Sequence, residues 1–198
     1  MHNVAIVLNS PAALPEIEEK ELICADGGYS RVVGAEKNIV IIGDLDSLGY
    51  APKGVPVVTC PVDKDYTDGE RAIRYAAEKG YEKVVLYGAD GGRMDMQLSN
   101  LYLLKIAYDL SLHAEINGPK ERVFYTETDF SYKSPIGKRV SVLPLGDQAT
   151  FLSSDGLHYP LDGLTLTSGD TIGLSNKTVK DEFRFRLKSG GVLVFVEK

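Results

Sequence analysis

The chain has 198 residues, of which 43% are hydrophobic and 25% charged, a composition typical of an ordinary globular protein. Its formal net charge of -6 argues against a protein that binds nucleic acid, because such binding needs a basic surface. The opening apolar run is too short for a signal peptide, and no later run is long enough to span a bilayer. We therefore expect a cytoplasmic protein without a membrane partner.

The two cysteines, Cys24 and Cys60, both sit in apolar stretches of the sequence. Their spacing matches neither a disulfide framework nor a metal-binding motif. This pattern predicts two buried thiols in a reducing compartment.

In the first half of the chain, short apolar runs alternate with segments of helical periodicity. Strands separated by helices are expected, and the strands themselves are nearly all apolar. This indicates a parallel sheet covered on both faces. The predicted strands are 3–9, 21–25, 38–42, 56–60, 83–87 and 113–117.

Two helices can be placed from their start signals. Thr67 and Glu70 have the spacing of a capping box, in which each side chain bonds the other residue's backbone amide, and Gly80 marks the end of this helix. The second helix is predicted to start near Asp95, because Leu98, Leu101, Tyr102 and Ile106 follow it at helical spacing.

The second half of the chain has the pattern of an all-β domain. Apolar and polar residues alternate in 139–143 and 183–187, and an apolar run covers 191–196. Strands with one solvated face are typical of a β-sandwich or a barrel. The sequence thus predicts an α/β domain over 1–120 followed by an all-β domain over 121–198.

Acidic residues follow four of the predicted parallel strands. Because ligands of such sheets bind beyond the carboxyl ends of the strands, these carboxylates are expected to meet at one edge. A single Asp-Gly pair is explained by a turn, but four clusters at one edge repel one another unless a cation binds. Carboxylates without His or Cys neighbours suit Mg²⁺. The clusters are ADGG at 25–28, GDLDS at 43–47, DKDYTD at 63–68 and GADGGRMD at 88–95.

Several of these residues also suit a bound phosphate. Asp44 and Asp46 are two residues apart, so an extended turn would point both side chains toward one ion. Gly91 and Gly92 let the backbone approach phosphate closely, and Arg93 offers a planar donor group. The residues alone indicate a Mg²⁺-dependent nucleotide phosphotransferase or hydrolase. The P-loop and protein kinase signatures are absent from the sequence.

The four acidic motifs, in this order, resemble those of the thiamine pyrophosphokinase family. The resemblance continues with GKRVSVLPL at 137–145, GLHYPL at 156–161 and GLSN at 173–176. It implies a Rossmann-like domain followed by a β-sandwich, and a homodimer with thiamine bound at the interface. It also implies a reaction in which pyrophosphate moves from ATP, the co-substrate, to thiamine, with Mg²⁺ as cofactor.

The resemblance assigns roles to individual residues. The magnesium ligands are Asp44, Asp46 and Asp68, with Asp95 as a further catalytic residue. Asp68 is the leading candidate to accept the proton of the thiamine hydroxyl. The remaining binding residues lie on the nucleotide side, which comprises Asp26, Gly27, Gly91, Gly92 and Arg93, and on the thiamine side, which comprises Tyr159, Ser175 and Asn176.

Two positions depart from the family pattern. Met96 stands where many members have His, and Tyr159 stands where some have Trp.

Two alternative functions also stay open. One is another Mg²⁺-dependent phosphotransferase or phosphohydrolase, which would have no use for Ser175 and Asn176. The other is a sensor that binds thiamine or nucleotide without catalysis. A sensor is disfavoured because Asp44, Asp46 and Asp68 are all present.

Overall fold

The computed structural model describes residues 2–59 and 66–198. The chain divides into two compact units, Met1–Pro119 and Lys120–Lys198. Among the described residues, no helix is both long and apolar enough to cross a membrane.

The first unit contains a parallel sheet, which confirms the predicted α/β class. Its strands lie side by side in the order β6-β5-β1-β2-β3-β4. Four predicted strands have the observed bounds, whereas β1 ends two residues early and β4 is shorter than expected within the described residues. The strands are β1 (Asn3–Val7), β2 (Glu21–Ala25), β3 (Asn38–Ile42), β4 (Val57–Val58), β5 (Lys83–Tyr87) and β6 (His113–Asn117).

The register of these strands aligns their carboxyl ends. Val7 of β1 pairs with both Cys24 of β2 and Tyr87 of β5, and Ala25 pairs with Ile42 of β3. The residues that follow these strands therefore start from the same edge of the sheet. This edge is where ligands of open parallel sheets bind.

Two helices flank the sheet, α1 (Asp68–Glu78) and α2 (Met94–Asp109). The predicted cap of α1 is confirmed, because the Thr67 hydroxyl accepts a hydrogen bond from the Glu70 amide at 3.2 Å. Within the described residues, the second bond of the capping box, from the Thr67 amide to the Glu70 carboxylate, does not form. That carboxylate instead accepts from Nη2 of Arg74 at 2.7 Å, one helical turn further on.

Loops, rather than helices, cover part of the sheet. Leu14 and Ile17, from the segment between β1 and β2, pack on a buried cluster that includes Val7 and Cys24. The expectation of a helix in every connection is therefore wrong for this segment. Pro15 prevents a helix from running through the middle of this segment, because its ring would clash with the carbonyl of residue 11, one helical turn earlier. Between β2 and β3 the chain forms only a 3-10 helix, Asp26–Arg31.

Cys24 is fully buried in β2, as predicted. Burial raises the pKa of its thiol to about 12, so the neutral form persists at physiological pH. Cys60 lies outside the described residues.

The second unit consists of two antiparallel sheets with the orders β12-β9-β14-β7 and β11-β10-β13-β8. The predicted strands 139–143, 183–187 and 191–196 correspond to β9, β13 and β14. The strands are β7 (Glu121–Thr126), β8 (Phe130–Lys133), β9 (Arg139–Pro144), β10 (Gln148–Asp155), β11 (Thr165–Thr167), β12 (Asn176–Lys177), β13 (Glu182–Ser189) and β14 (Val192–Glu197).

One hydrophobic core joins these two sheets. Strand β13 alternates buried and exposed residues along its length, and it buries Phe183 and Phe185 against Phe151 of β10. The other sheet contributes Val192 and Val194 of β14 to the same cluster. Two sheets that share a core through alternating residues form a β-sandwich, and this confirms the predicted class of the second half.

Candidate active site

A cleft of about 480 Å³ lies in the first unit, beside residues that follow the aligned strands. It is bounded by the residues that follow β1 and β2, by the loop after β3, by the glycine-rich loop after β5, by the start of α1 and by the first two turns of α2. Its lining residues are Leu8, Asn9, Ser10, Pro11, Ala25, Asp26, Gly27, Ser47, Thr67, Asp68, Gly69, Gly91, Gly92, Arg93, Met96, Ser99 and Asn100.

Asp26 is the most deeply buried carboxylate of the cleft, with 3% of its surface exposed. Its backbone has a φ of 40°, a left-handed conformation that few residues other than glycine adopt. The amide of Ser47 donates to Oδ2 of Asp26 at 3.0 Å. Oδ1 is also buried, and it has no hydrogen-bond partner among the described residues. A buried carboxylate oxygen without a partner lowers the stability of the fold, and a bound cation would offset this cost. Asp26 is therefore suited to bind a cation.

Asp44 and Asp68 complete a cluster around Asp26. One carboxylate oxygen from each residue lies within 4.8 Å of the other two, close enough to coordinate a single ion. Asp44 follows β3, and Asp68 is the first residue of α1. An all-oxygen set of carboxylates is the donor chemistry that Mg²⁺ prefers. Residues 63–65, which belong to the same acidic motif as Asp68, lie outside the described residues.

Asp46 does not join this cluster in the structure. The expectation of an extended turn is wrong, because Leu45 has a φ of 66° and packs its side chain against the buried cluster on the loop-covered face of the sheet. This turn leaves Asp46 exposed, where its carboxylate accepts from the Ser47 hydroxyl at 3.1 Å. Metal binding by Asp46 stays a prediction.

The glycine-rich loop after β5 brings backbone close to the cleft. Gly91 and Gly92 have φ values of 82° and 76°, which residues other than glycine adopt only with strain. Within the described residues, neither amide takes part in a hydrogen bond. These two donors are therefore available to an anion.

Arg93 and Asp95 form a two-bond ion pair at the start of α2. Nη2 of Arg93 lies 2.6 Å from Oδ2 of Asp95, and Nε lies 3.1 Å from Oδ1. The guanidinium lowers the pKa of the Asp95 carboxyl below its usual value. Both side chains are exposed. Asp95 is not among the three residues of the carboxylate cluster. In this structure its carboxylate instead fixes the position of the Arg93 guanidinium.

Gly27 allows close packing at the floor of the cleft. A Cβ atom at this position would lie 2.3 Å from Nδ2 of Asn9. Even alanine would therefore displace the Asn9 side chain. Direct contact of Gly27 with a nucleotide stays a prediction.

The predicted thiamine-side residues lie in the second unit. Tyr159 is exposed, and Asn176 is buried. Asn176 was predicted to lie on the thiamine side, but its side-chain amide already accepts from the Tyr159 amide at 3.0 Å and donates to the Tyr159 carbonyl at 2.7 Å. Ser175 is exposed with a φ of 61°. Asn176 thus fixes the backbone of Tyr159.

Several cleft residues were not predicted from the sequence. Ser10, Ser47 and Asn100 line the cleft, and Nδ2 of Asn100 donates to the Ala89 carbonyl at 2.9 Å. Ser10 and Ser47 do follow predicted strands, so the strand-end rule that selected the carboxylates extends to these polar residues.

Comparison with known proteins gives matches over both units. The family model described as "Thiamin pyrophosphokinase, catalytic domain" matches residues 17–116, and the model described as "Thiamin pyrophosphokinase, vitamin B1 binding domain" matches residues 127–192. The thiamine pyrophosphokinase of Bacillus subtilis (strain 168) is 25% identical over 162 residues, covering 78% of this chain and 75% of that protein. Thiamin pyrophosphokinase 1 of Caenorhabditis elegans is 26% identical over 192 residues, covering 89% and 78%.

Solved structures share the fold. A thiamine pyrophosphokinase structure from Bacillus subtilis has a TM-score of 0.85 at 21% identity, covering 99% of each chain. A thiamin pyrophosphokinase structure from Geobacillus thermodenitrificans has a TM-score of 0.84 at 24% identity, covering 99% of this chain and 97% of that one. At these identities the likeness concerns the fold. The family models match most of the sequence, and the chain therefore belongs to the thiamine pyrophosphokinase family.

Proposed function

We propose that this chain transfers pyrophosphate from ATP to the hydroxyl of thiamine, giving thiamine pyrophosphate and AMP. Family membership supports the reaction class. The observation that carries the proposal is the buried Asp26, whose unpaired Oδ1 belongs to the same cleft as Asp68 and the glycine-rich loop. Such a cleft offers anionic ligands for a metal beside backbone donors for phosphate.

Mg²⁺ fits the residues of this cleft. Asp26, Asp44 and Asp68 would hold it, and Asp46 is kept as a further candidate ligand from the family resemblance. When bound, the ion would neutralise negative charge on the polyphosphate. The unpaired oxygen of Asp26 supports this fit, because it supplies a ligand atom that no described hydrogen bond occupies.

The chain's own groups would position the phosphates. The amides of Gly91 and Gly92 donate to phosphate oxygens. Arg93, which follows them directly, adds a charged donor whose position is fixed by its ion pair with Asp95. Asp68 is the candidate acceptor for the proton of the thiamine hydroxyl. Catalysis of this kind depends mainly on positioning and electrostatics.

On the thiamine side, we propose that Tyr159 offers an aromatic face and Ser175 a hydroxyl. Asn176 would act by holding the Tyr159 backbone. We also propose a cytoplasmic homodimer, in which thiamine bound to the β-sandwich of one subunit faces the carboxylates of the other.

The first test is a product assay. Purified protein supplied with thiamine, ATP and Mg²⁺ is expected to form thiamine pyrophosphate and AMP, which chromatography separates from other products. ADP with thiamine monophosphate would instead identify an ordinary kinase. Phosphate release that does not depend on thiamine would identify a hydrolase.

The shared site predicts complementation between damaged chains. Asp68→Asn chains mixed with Tyr159→Ala/Ser175→Ala chains should regain activity, because each heterodimer would have one undamaged site. An equal, fully exchanged mixture is expected to reach about a quarter of the parent activity, given random pairing into twofold dimers. The double variant keeps Asn176, whose loss would leave the Tyr159 backbone unpaired. Native mass spectrometry would verify exchange, and an exchanged mixture no more active than its parents would exclude the shared site.

A further inference from the structure

The segment 8–12 lies directly against the glycine-rich loop. A Cβ atom at Gly88 would be 2.6 Å from the Leu8 carbonyl oxygen, and one at Gly92 would be 3.2 Å from Cδ of Pro11. At Gly91 it would meet Cβ of Ala12 at 3.1 Å and Oγ of Ser10 at 3.2 Å. The position of the loop backbone therefore depends on where this segment lies.

Ser10 joins the segment to the loop through a buried side chain. Only 5% of Ser10 is exposed, and its hydroxyl donates to the carbonyl of Asp90. The same hydroxyl accepts from the Ala12 amide at 3.2 Å. One oxygen atom thus connects the residue before Gly91 to the turn of segment 8–12.

Arg31 anchors the other side of this segment. Its Nη2 donates to the Ala12 carbonyl at 2.7 Å. Ala12 is therefore held through its amide by Ser10 and through its carbonyl by Arg31. Segment 8–12 forms no regular secondary structure, so its position is fixed by these side-chain bonds together with two backbone bonds, from the Leu8 amide to the Tyr87 carbonyl and from the Ser10 amide to the Leu8 carbonyl.

We propose that Ser10 is a positioning residue for nucleotide binding, which sets the Gly91–Gly92 backbone through its bond to the Asp90 carbonyl. Arg31 supports it by holding Ala12. This inference rests on the proposed function, in which the amides of that loop bind the ATP phosphates. Small displacements of groups that position a substrate are known to cost up to about 10²-fold in rate.

The test is Ser10→Ala, which removes both hydrogen bonds without adding volume. It is expected to lower kcat/KM for ATP by about 10-fold or more and to weaken Mg²⁺-ATP binding measured by calorimetry, with KM for thiamine unchanged. Calorimetry does not depend on turnover. A parent chain that binds Mg²⁺-ATP but makes no thiamine pyrophosphate would therefore refute the proposed reaction separately from the role of Ser10.

Ser154→Ala is the matched control. The Ser154 hydroxyl also donates once, to Asp162 at 2.9 Å, and accepts once, from the Leu161 amide at 2.7 Å, but it lies in the second unit. Its loss is expected to lower thermal stability without changing ATP kinetics. If Ser10→Ala changes ATP affinity no more than Ser154→Ala does, or raises both Michaelis constants equally, the proposal is overturned.

Arg31→Ala gives an independent test that leaves the Ser10 hydroxyl in place. It is expected to show the same selective loss for ATP, and the double variant should lose less than the product of the two single effects. If Ser10→Ala does not fold, Arg31→Ala decides alone. Unchanged ATP binding in Arg31→Ala would then contradict the proposal.

Discussion

Asp68→Asn is expected to lower the rate of pyrophosphate transfer by about 10³-fold, the size of effect seen when one preorganised electrostatic group is removed from an active site. Asparagine keeps the shape of the side chain but removes a negative charge from the cluster with Asp26 and Asp44. Turnover at saturating substrates, together with Mg²⁺ titration by calorimetry, measures the effect. Asp44→Asn is expected to behave in the same way.

Asp129→Asn provides the control for lost charge. Asp129 is exposed and pairs with Nε of Arg186 at 3.2 Å in the second unit. Its replacement should leave turnover and Mg²⁺ affinity near those of the parent, since exposed ion pairs contribute little. Unchanged Mg²⁺ affinity and turnover in both Asp44→Asn and Asp68→Asn would exclude these residues as metal ligands.

Asp26→Asn is expected to weaken Mg²⁺ binding by about 10²-fold. Mutation of residues that only hydrogen-bond to a metal ligand already costs up to about this factor in metal affinity, so the loss of a ligand should cost at least as much. The loss should exceed that of Asp46→Asn. Asp26 brings a buried, unpaired oxygen to the cluster, whereas the Asp46 carboxylate is exposed and already accepts from Ser47. Calorimetric titration of the two variants gives the ranking.

Asparagine suits position 26 for structural reasons. It tolerates the left-handed backbone there, and its side-chain oxygen can still accept from the Ser47 amide. The unfolding temperature of Asp26→Asn is therefore expected to stay close to that of the parent. A loss of metal affinity in this variant would then not reflect misfolding. A larger loss in Asp46→Asn than in Asp26→Asn would restore Asp46 as the principal ligand.

The strand pattern was predictable because it depends on local sequence. Strands β2, β3 and β5 are apolar runs bounded by polar residues, and the Thr67 cap is a four-residue signal. The connection between β1 and β2 was wrongly expected to be helical, although Pro15 argues against a helix there. Sequence patterns thus located the edge at which the carboxylates gather.

The details of the cleft depend on tertiary contacts that no local pattern contains. Leu45 adopts a positive φ while its side chain packs in a buried cluster, and this turn separates Asp46 from Asp44. Asn176 is polar but buried, because the backbone of Tyr159, 17 residues away in sequence, satisfies its amide. Ser10 bonds the Asp90 carbonyl across 80 residues. Each of these features needs two distant segments to be folded together.

The position of β14 in its sheet constrains the order in which the second unit can fold. This strand, the last in chain order, lies between β7 and β9 and contributes Val192 and Val194 to the core. During synthesis, β9 can pair with β12, but neither β7 nor β9 can pair with β14 until this last strand has emerged, and apolar side chains stay exposed in the meantime. The β-sandwich therefore closes after translation of its final strand, whereas the parallel sheet of the first unit has all of its strands by Asn117.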